Sequence, residues 1–305
     1  MRVSSLSSSN ASLAGIQDQQ SNIARLSQQI ATTQKYLATK DAPIETSQAL
    51  ALAEQIAVRK QYQSNQVNAD LSIKEENTVL SELDKAISTA RGIAMGANAS
   101  QDQAARAQLA TQLSNLYDHI KGLANSQDTS GNYLFAGYQT STTPYAHSSV
   151  YSGATAPQTT TYSGDAGIRQ VEIDTGRFIQ TNDNLDTVMQ SGTAGDLLKT
   201  IDDMAVGLRD GTATQASLNN AYAMLNSASD KLHVMQSSLA GRSLELSDTK
   251  ASTQSLLQTG QDALGQVRNL DTAAAIVELQ QRQVALSAAE NAFSLTAKQS
   301  LFNYL

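Results

Sequence analysis

Leu218, Leu225, Leu232, Leu239 and Leu246 stand seven residues apart, with Met235 between the third and the fourth. A helix returns residues at this spacing to one face, whereas a strand would divide them between its two faces. The stretch is therefore expected to form one long helix that buries one edge. The same kind of pattern runs earlier in the chain. Leu80, Leu83, Ile87, Ala90 and Ala94 follow helical spacing, and so do Leu109, Leu113, Leu116, Ile120 and Leu123. Only Pro43, Pro144 and Pro157 interrupt the 305 residues. The spacing predicts a helix from about Glu45 to Ala97 and another to about Asn125. Asn98-Ala99-Ser100 followed by Gln103 reads as a break with a Ser-x-x-Gln capping box. Gly92 and Gly96 mark either close helix packing or the approach of that break. Leu197, Ile201, Met204 and Leu208 predict a further helix, capped by Gly211.

Both ends of the chain carry thinner seams. Ile16, Ile23, Ile30 and Leu37 recur in sevens, but between them Gln19 and Thr33 are polar and only Leu26 is apolar. Such a seam is too narrow to hold a lone helix, so the segment before Pro43 is expected to fray in the monomer and to order against partners. From about Asp262 onward two lines appear, Leu270/Val277/Val284 and Leu279/Leu286/Phe293. At about 100° per residue they lie roughly 200° apart, which gives one helix two sets of neighbours.

The composition changes after Gly131. Tyr133-Leu134-Phe135, Ser149-Val150-Tyr151 and Val171-Glu172-Ile173 are short apolar or alternating runs between Gly, Ser, Thr, Asn and Asp. They predict strands of a small β-rich insert that reaches about Met189. Tyr151-Ser152-Gly153 and Tyr162-Ser163-Gly164 repeat locally and suggest a hairpin.

No catalytic arrangement emerges. His119, His147 and His233 are far apart and form no His-x-x-x-His or His-Glu-x-x-His pair. The absence of Cys removes thiolate zinc sites, iron–sulfur clusters, disulfides and cysteine nucleophiles. Ser247-Asp248-Thr249-Lys250 matches a Ser-x-x-Lys nucleophile pattern, but it sits on a helix face without a Lys-Thr-Gly partner. Glu75, Glu76, Glu82 and Asp84 stand beside Lys74 and Lys85, where solvated ion pairs are expected. Asn10-Ala11-Ser12 and Asn98-Ala99-Ser100 match a short glycosylation sequon. No enzyme activity, catalytic group, metal or cofactor is expected. A formal charge of −7 speaks against a nucleic-acid partner. No run approaches the ~20 apolar residues of a membrane span. The opening Met1-Arg2-Val3-Ser4-Ser5 begins no apolar leader, so export is expected to proceed without a cleaved signal.

Several segments, taken in order, resemble the flagellin family. Gln34-Lys35-Tyr36-Leu37 through Asp41-Ala42-Pro43-Ile44 is similar to its N-terminal Gly-Lys-Arg and Asp-Asp-Pro hinge, with Gln34 and Ala42 as departures. The segment from Gly131 to Thr140, Gly-Asn-Tyr-Leu-Phe-Ala-Gly-Tyr-Gln-Thr, then Pro144, is similar to the start of the middle domain in the hook-associated branch of that family. Tyr162-Ser163-Gly164-Asp165 and Arg169-Gln170-Val171-Glu172-Ile173 fit the insert of that branch. Gly241-Arg242-Ser243-Leu244-Glu245 resembles the family's Gly-Ala-Arg motif, and Asp271 to Gln280 with Ser300-Leu301-Phe302-Asn303-Tyr304-Leu305 resembles its terminus.

The resemblance implies a mainly α fold with a β-rich insert: an elongated, flagellin-like rod of long antiparallel helices. Its terminal helices would pair as a coiled coil, with the small β domain at the far end. The domains would be terminal assembly helices over 1–42 and 262–305, a helical rod over 43–131 and 193–261, and a β-rich middle domain over 132–192. The implied role is a secreted, extracellular subunit of the bacterial flagellum, exported by the flagellar type III apparatus and placed at the hook–filament junction. Its partners would be hook-associated protein 1, flagellin, further copies of itself in a ring, and an export chaperone. Ile16, Ile23, Ile30, Leu37, Leu270, Val277, Leu279, Val284, Leu286 and Phe293 are the expected assembly residues. A filament flagellin, a soluble signalling coiled coil and an enzyme hidden in the insert are the alternatives.

Overall fold

The computed structural model describes residues 2–98, 101–147, 160–190 and 195–302, with side chains described over 10–98, 101–146, 160–190 and 195–296. Along the chain come α1 (Arg2–Thr32), α2 (Pro43–Gly96), α3 (Gln103–Ala124), β1 (Tyr145–His147), β2 (Thr160–Tyr162), β3 (Gln170–Asp174) and β4 (Arg177–Gln180). They are followed by α4 (Asp186–Met189), α5 (Leu197–Asp210), α6 (Gln215–Arg268) and α7 (Thr272–Phe302). Residues 1–58 with 255–305 form one compact unit, and 59–254 form a second.

Local chemistry sets the helix ends. Pro43 opens α2, where its missing N–H costs nothing and its fixed φ suits the first turn. The cap of α3 is Asp102, whose carboxylate accepts the Ala105 N–H at 2.8 Å. That corrects the expected Ser100 box, and Ser100 itself lies outside the described residues. Asp196 caps α5 by accepting the Lys199 N–H at 3.1 Å, and Gly211 ends it at a φ of 73°. Thr214 and Ser217 then exchange two N–H to hydroxyl bonds, at 3.0 and 3.1 Å, to start α6. A β-carbon on Gly92 would meet nothing, so this glycine permits no close packing, while Gly96 closes α2.

In the 59–254 unit the expected heptad line is fully buried. Leu218, Leu225, Leu232, Leu239 and Leu246 share a core with Leu80, Leu83 and Ile87 of α2, Leu113 and Ile120 of α3, and Leu198, Ile201 and Leu208 of α5. The helix α3 packs on α5. Lys250–Asp70, Gln66–Thr253 and Gln236–Leu80 contacts join α6 to α2, and their order makes the two helices antiparallel.

The insert contributes two antiparallel pairs. Tyr145 faces Tyr162 across β1–β2, and Val171 faces Ile179 across β3–β4. Val171-Glu172-Ile173 is thus strand, as expected. Tyr133-Leu134-Phe135 is not: it forms tight turns with a lone bridge from Tyr133 to Gln127, and it buries Leu134 and Phe135. Asp165 organises these turns by accepting the N–H groups of Tyr138 and Gly167, both at 2.8 Å. Gly137, at a φ of 70°, lies so close to Asp165 that any β-carbon there would collide with it. The β3–β4 turn falls at Thr175-Gly176, Tyr162 of the second Tyr-Ser-Gly copy ends β2, and the first copy lies outside the described residues. Ser149-Val150-Tyr151 lies outside the described residues.

Candidate assembly surface

The unit built from 1–58 and 255–305 holds all the residues singled out for assembly. Its helices α1 and α7 are each 31 residues long and pack on each other. Gln19 donates to the Arg282 carbonyl at 3.5 Å and Gln20 to Glu290 at 3.5 Å, while Leu270 donates to the Thr33 carbonyl at 3.0 Å. This order makes the pair antiparallel. On α1, Ile16, Ile23 and Ile30 are half-buried around the buried Leu26. Across from them α7 presents the buried Ala275 and the half-buried Leu279, Leu286 and Phe293. The small side chains of Gly15, Ala285, Ala289 and Ala292 leave a groove of about 540 Å³ beside Ile16 and Phe293.

The two lines of α7 part company here. Leu279, Leu286 and Phe293 face α1, whereas Val277 and Val284 point outward at 53% and 71% exposure. Leu295, 63% exposed, lies on the same outer line. Its spacing of eleven from Val284 brings a helix back to within about 20° of the same direction. A search in sevens misses Leu295, and a search in sevens and elevens finds it. One helix therefore has one face occupied and one apolar stripe open to solvent.

Leu37 differs from the rest of its expected seam. α1 stops at Thr32, and Thr33 adopts a φ of 55°. The chain then runs past Gln34, which bridges to Asn269, with the Lys35 N–H donating to the Arg268 carbonyl at 2.9 Å. Leu37 is consequently not on the α1 face. It lines a cavity of about 280 Å³ with Tyr36, Ala49, Leu50 and Val267. Leu270 sits half-buried in the matching break before α7. The left-handed turn falls on Thr33, one residue before Gln34. The helix α6 passes Asp262 without interruption and ends at Arg268, because the clasp with residues 33–35 comes only there.

The remaining motifs have ordinary surroundings. His233 lies 3.8 Å from Asp84, and His119 is exposed, while the His147 side chain is outside the described set. Ser247 is exposed on α6, and Lys250 pairs with Asp70 at 2.9 Å. Glu82 and Lys85 form the expected surface pair at 2.8 Å. Glu76 does not behave as expected: it is 1% exposed, because the loop after β4 closes over it. Among the described residues no group of three or more His, Cys, Asp or Glu could hold a metal ion, and no helix is long and apolar enough to cross a membrane.

Comparison with known proteins bears on these features. Residues 3–140 match the family described as the bacterial flagellin N-terminal helical region, a stretch that contains most of α1 and all of α2 and α3. Over that stretch the chain is similar to bacterial flagellins, the resemblance already read from its motifs. More particularly, it is similar to flagellar hook-associated protein 3 of Escherichia coli strain K12, at 29% identity over 75% of this chain. The hook-associated protein 3 of Salmonella typhimurium matches at the same identity. The matches cover 65% of the length of each of these two relatives. Among solved structures, a candidate flagellar hook-associated protein from Vibrio parahaemolyticus superimposes with a TM-score of 0.67 at 22% identity, covering 75% of this chain and all of that one. The hook-associated protein 3 of Legionella pneumophila gives 0.62 at 17% identity, over 71% of this chain and 98% of its own. These two likenesses establish the fold.

Proposed function

We propose that this protein is a structural subunit of the bacterial flagellum, seated at the hook–filament junction between hook-associated protein 1 and flagellin. The observation that carries the reading is the open stripe of Val277, Val284 and Leu295, opposite a face already covered by α1. A helix with a second apolar face gains when a neighbour covers it, at ~0.8 kcal/mol per buried CH₂. Among the described residues of the 1–58 and 255–305 unit the buried apolar side chains are Leu26, Ala42, Ala49, Ile56, Leu257 and Ala275. That core is small against an ordering cost of ~1–2 kcal/mol per residue, so α1 and α7 order fully only in a ring of subunits. Residues 1–42 and 262–305 then serve as assembly segments, 43–131 and 193–261 as the helical body, and 132–192 as the middle domain. The likeness to hook-associated protein 3 supports the place in the organelle. It also supports export without a cleaved signal, extracellular placement, an export chaperone on the terminal segments, and a role without a chemical reaction.

The test is complementation of a strain lacking the gene. The intact gene restores filaments. Val284→Asp yields hooks without filaments and flagellin in the medium, while the purified variant keeps the helix content of the parent. Leu286→Asp also blocks assembly, and in addition it loosens the α1–α7 pair. Normal filaments with Val284→Asp would overturn the reading. Loss of flagellin from both cell surface and medium in the deletion strain would point to a filament flagellin instead.

A further inference from the structure

The 59–254 unit buries a carboxyl group for which the proposed assembly role has no use. Glu76 of α2 is 1% exposed, and its Oε1 accepts the Asp183 N–H at 2.8 Å. Its Oε2 is equally buried and has no hydrogen-bond partner. Asp183 lies in the loop after β4, and its carboxylate pairs with the Arg242 guanidinium of α6. Arg242 also donates to the Gln180 carbonyl at 3.2 Å, and the Gln180 amide returns to Asp183 at 2.8 Å. Three elements thus meet through two carboxyl groups and one cation. If both acids ionise, the buried site carries a net negative charge.

Other contacts fasten the insert as well. Asn65 and Gln66 donate to the carbonyls of Glu172 and Ile173, at 2.8 and 2.7 Å. Arg177 of β4 pairs with Glu245 of α6, and Lys250 of α6 with Asp70 of α2. The charged groups that act on Glu76 are Asp183 from the loop and Arg242 from α6. We propose that Glu76, Asp183 and Arg242 form a proton-controlled latch that holds the β insert to the two long helices. Closed, the latch keeps a proton on Glu76. Losing that proton puts a second negative charge beside Asp183 and favours opening, so that water can reach both carboxylates.

Burial, seconded by the Asp183 carboxylate and opposed by Arg242, pushes the Glu76 carboxyl up from 4.5 to about 8. The closed state therefore binds one more proton than the open or unfolded state between about pH 4.5 and 8. Latch stability is greatest below that window, falls through it by up to about tenfold in equilibrium constant per pH unit, and levels off above it. Arg242 belongs to the Gly241-Arg242 segment that matched a family motif, and the latch gives that arginine a use in holding the insert.

The chain contains no Trp, so Phe178→Trp on β4, at a position 57% exposed, gives the insert a single fluorescent reporter. In the full-length protein its emission is expected to shift between about pH 4.5 and 8 and to change no further above, while far-ultraviolet circular dichroism stays constant. Adding Glu76→Gln, a neutral isostere, should abolish the shift. A shift that persists with Glu76→Gln, or an absent shift between about pH 4.5 and 8 in the parent reporter, overturns the latch. Should the Gln variant not fold, chemical unfolding of the parent decides. An unfolding constant that rises with pH through the window supports the latch, and one that stays flat refutes it.

Discussion

The two compact units are built from the same kind of helix but close their cores differently. In 59–254 the apolar residues come in wide faces. Leu80, Leu83, Ile87, Leu113, Ile120 and Leu225 are all fully buried, and α2, α3, α5 and α6 each contribute. In 1–58 with 255–305 they come in single lines. Ile16, Ile23, Ile30, Leu279, Leu286 and Phe293 are only half-buried, while Val277 and Val284 are left outside. A helix with a wide face completes its core within one chain. A helix with two narrow lines saturates one of them inside the chain and keeps the other for a neighbour. The first arrangement gives a stable body, and the second gives a surface whose stability depends on concentration and assembly.

The sharpest way to break this contrast is to truncate one residue of each kind. Ile120→Ala removes a fully buried side chain and is expected to cost about 2–5 kcal/mol in denaturant unfolding followed by circular dichroism. Ile23→Ala, half-buried on α1, should cost the monomer less than about 1 kcal/mol. Equal costs would mean that the terminal pair is as firmly packed as the body. Removing the residues before Pro43 asks the same question of the whole segment. The helix content of the monomer should fall little, and a drop matching all 31 residues of α1 would show the pair to be ordered without neighbours.

Much of the body was legible from periodicity. Five leucines in register specified α6 and its buried face, and Gly211 marked the end of α5. The terminal helices were legible as narrow seams for the same reason. What periodicity could not supply were contacts across the chain. Leu37 fits the spacing of sevens, yet the clasp between residues 33–35 and 268–270 stops α1 short of it. Glu76 reads as a surface acid because helical spacing says nothing of a loop folding back over it some hundred residues later. Tyr133-Leu134-Phe135 has strand composition, but the Asp165 network and Gly137 hold it in turns. Each failure comes from a long-range polar contact, which leaves no period in a sequence.

Proteolysis probes the contrast at lower amplitude. Lys35, Lys40 and Arg268 are exposed in and beside the breaks, whereas Arg91 and Lys121 sit on helices of the body. Trypsin under native conditions should cut the first set at least about tenfold faster, because local opening of the terminal segments costs less than opening the body. Comparable rates would place both units at one stability.

The ion pairs of the body set a smaller effect of opposite pH sign to the Glu76 latch. The Lys250 hydrogen bond, with burial opposing and Lys74 assisting, holds the Asp70 carboxyl below its ordinary value. A depressed acid contributes stability that is present above the unfolded value of 3.8 and is lost as pH falls through the lower folded value. Because the pair is partly exposed, Asp70→Asn should cost only about 0.5 kcal/mol at neutral pH and flatten the acid limb below about pH 4. An Asp70→Asn variant whose stability profile changes between pH 5 and 8 instead would show that Glu76 and Asp70 titrate as one network.

The smallest effect sits in the clasp itself. Thr33 is β-branched and holds a φ of 55°, a conformation that costs a side-chain-bearing residue about 1–2 kcal/mol. Two backbone bonds keep it there, Leu270 N–H to the Thr33 carbonyl and Lys35 N–H to the Arg268 carbonyl. Thr33→Gly relieves the strain but adds freedom to the unfolded chain worth about 0.5–1 kcal/mol, so the net gain is about 0.5 kcal/mol. Half a kilocalorie is roughly a factor of two, so tryptic cleavage at Lys35 should slow about twofold. Thr33→Ala, which keeps a β-carbon, should gain nothing. Faster cleavage with glycine would mean that the free chain does not hold this turn, and that the clasp closes only when neighbouring subunits arrive.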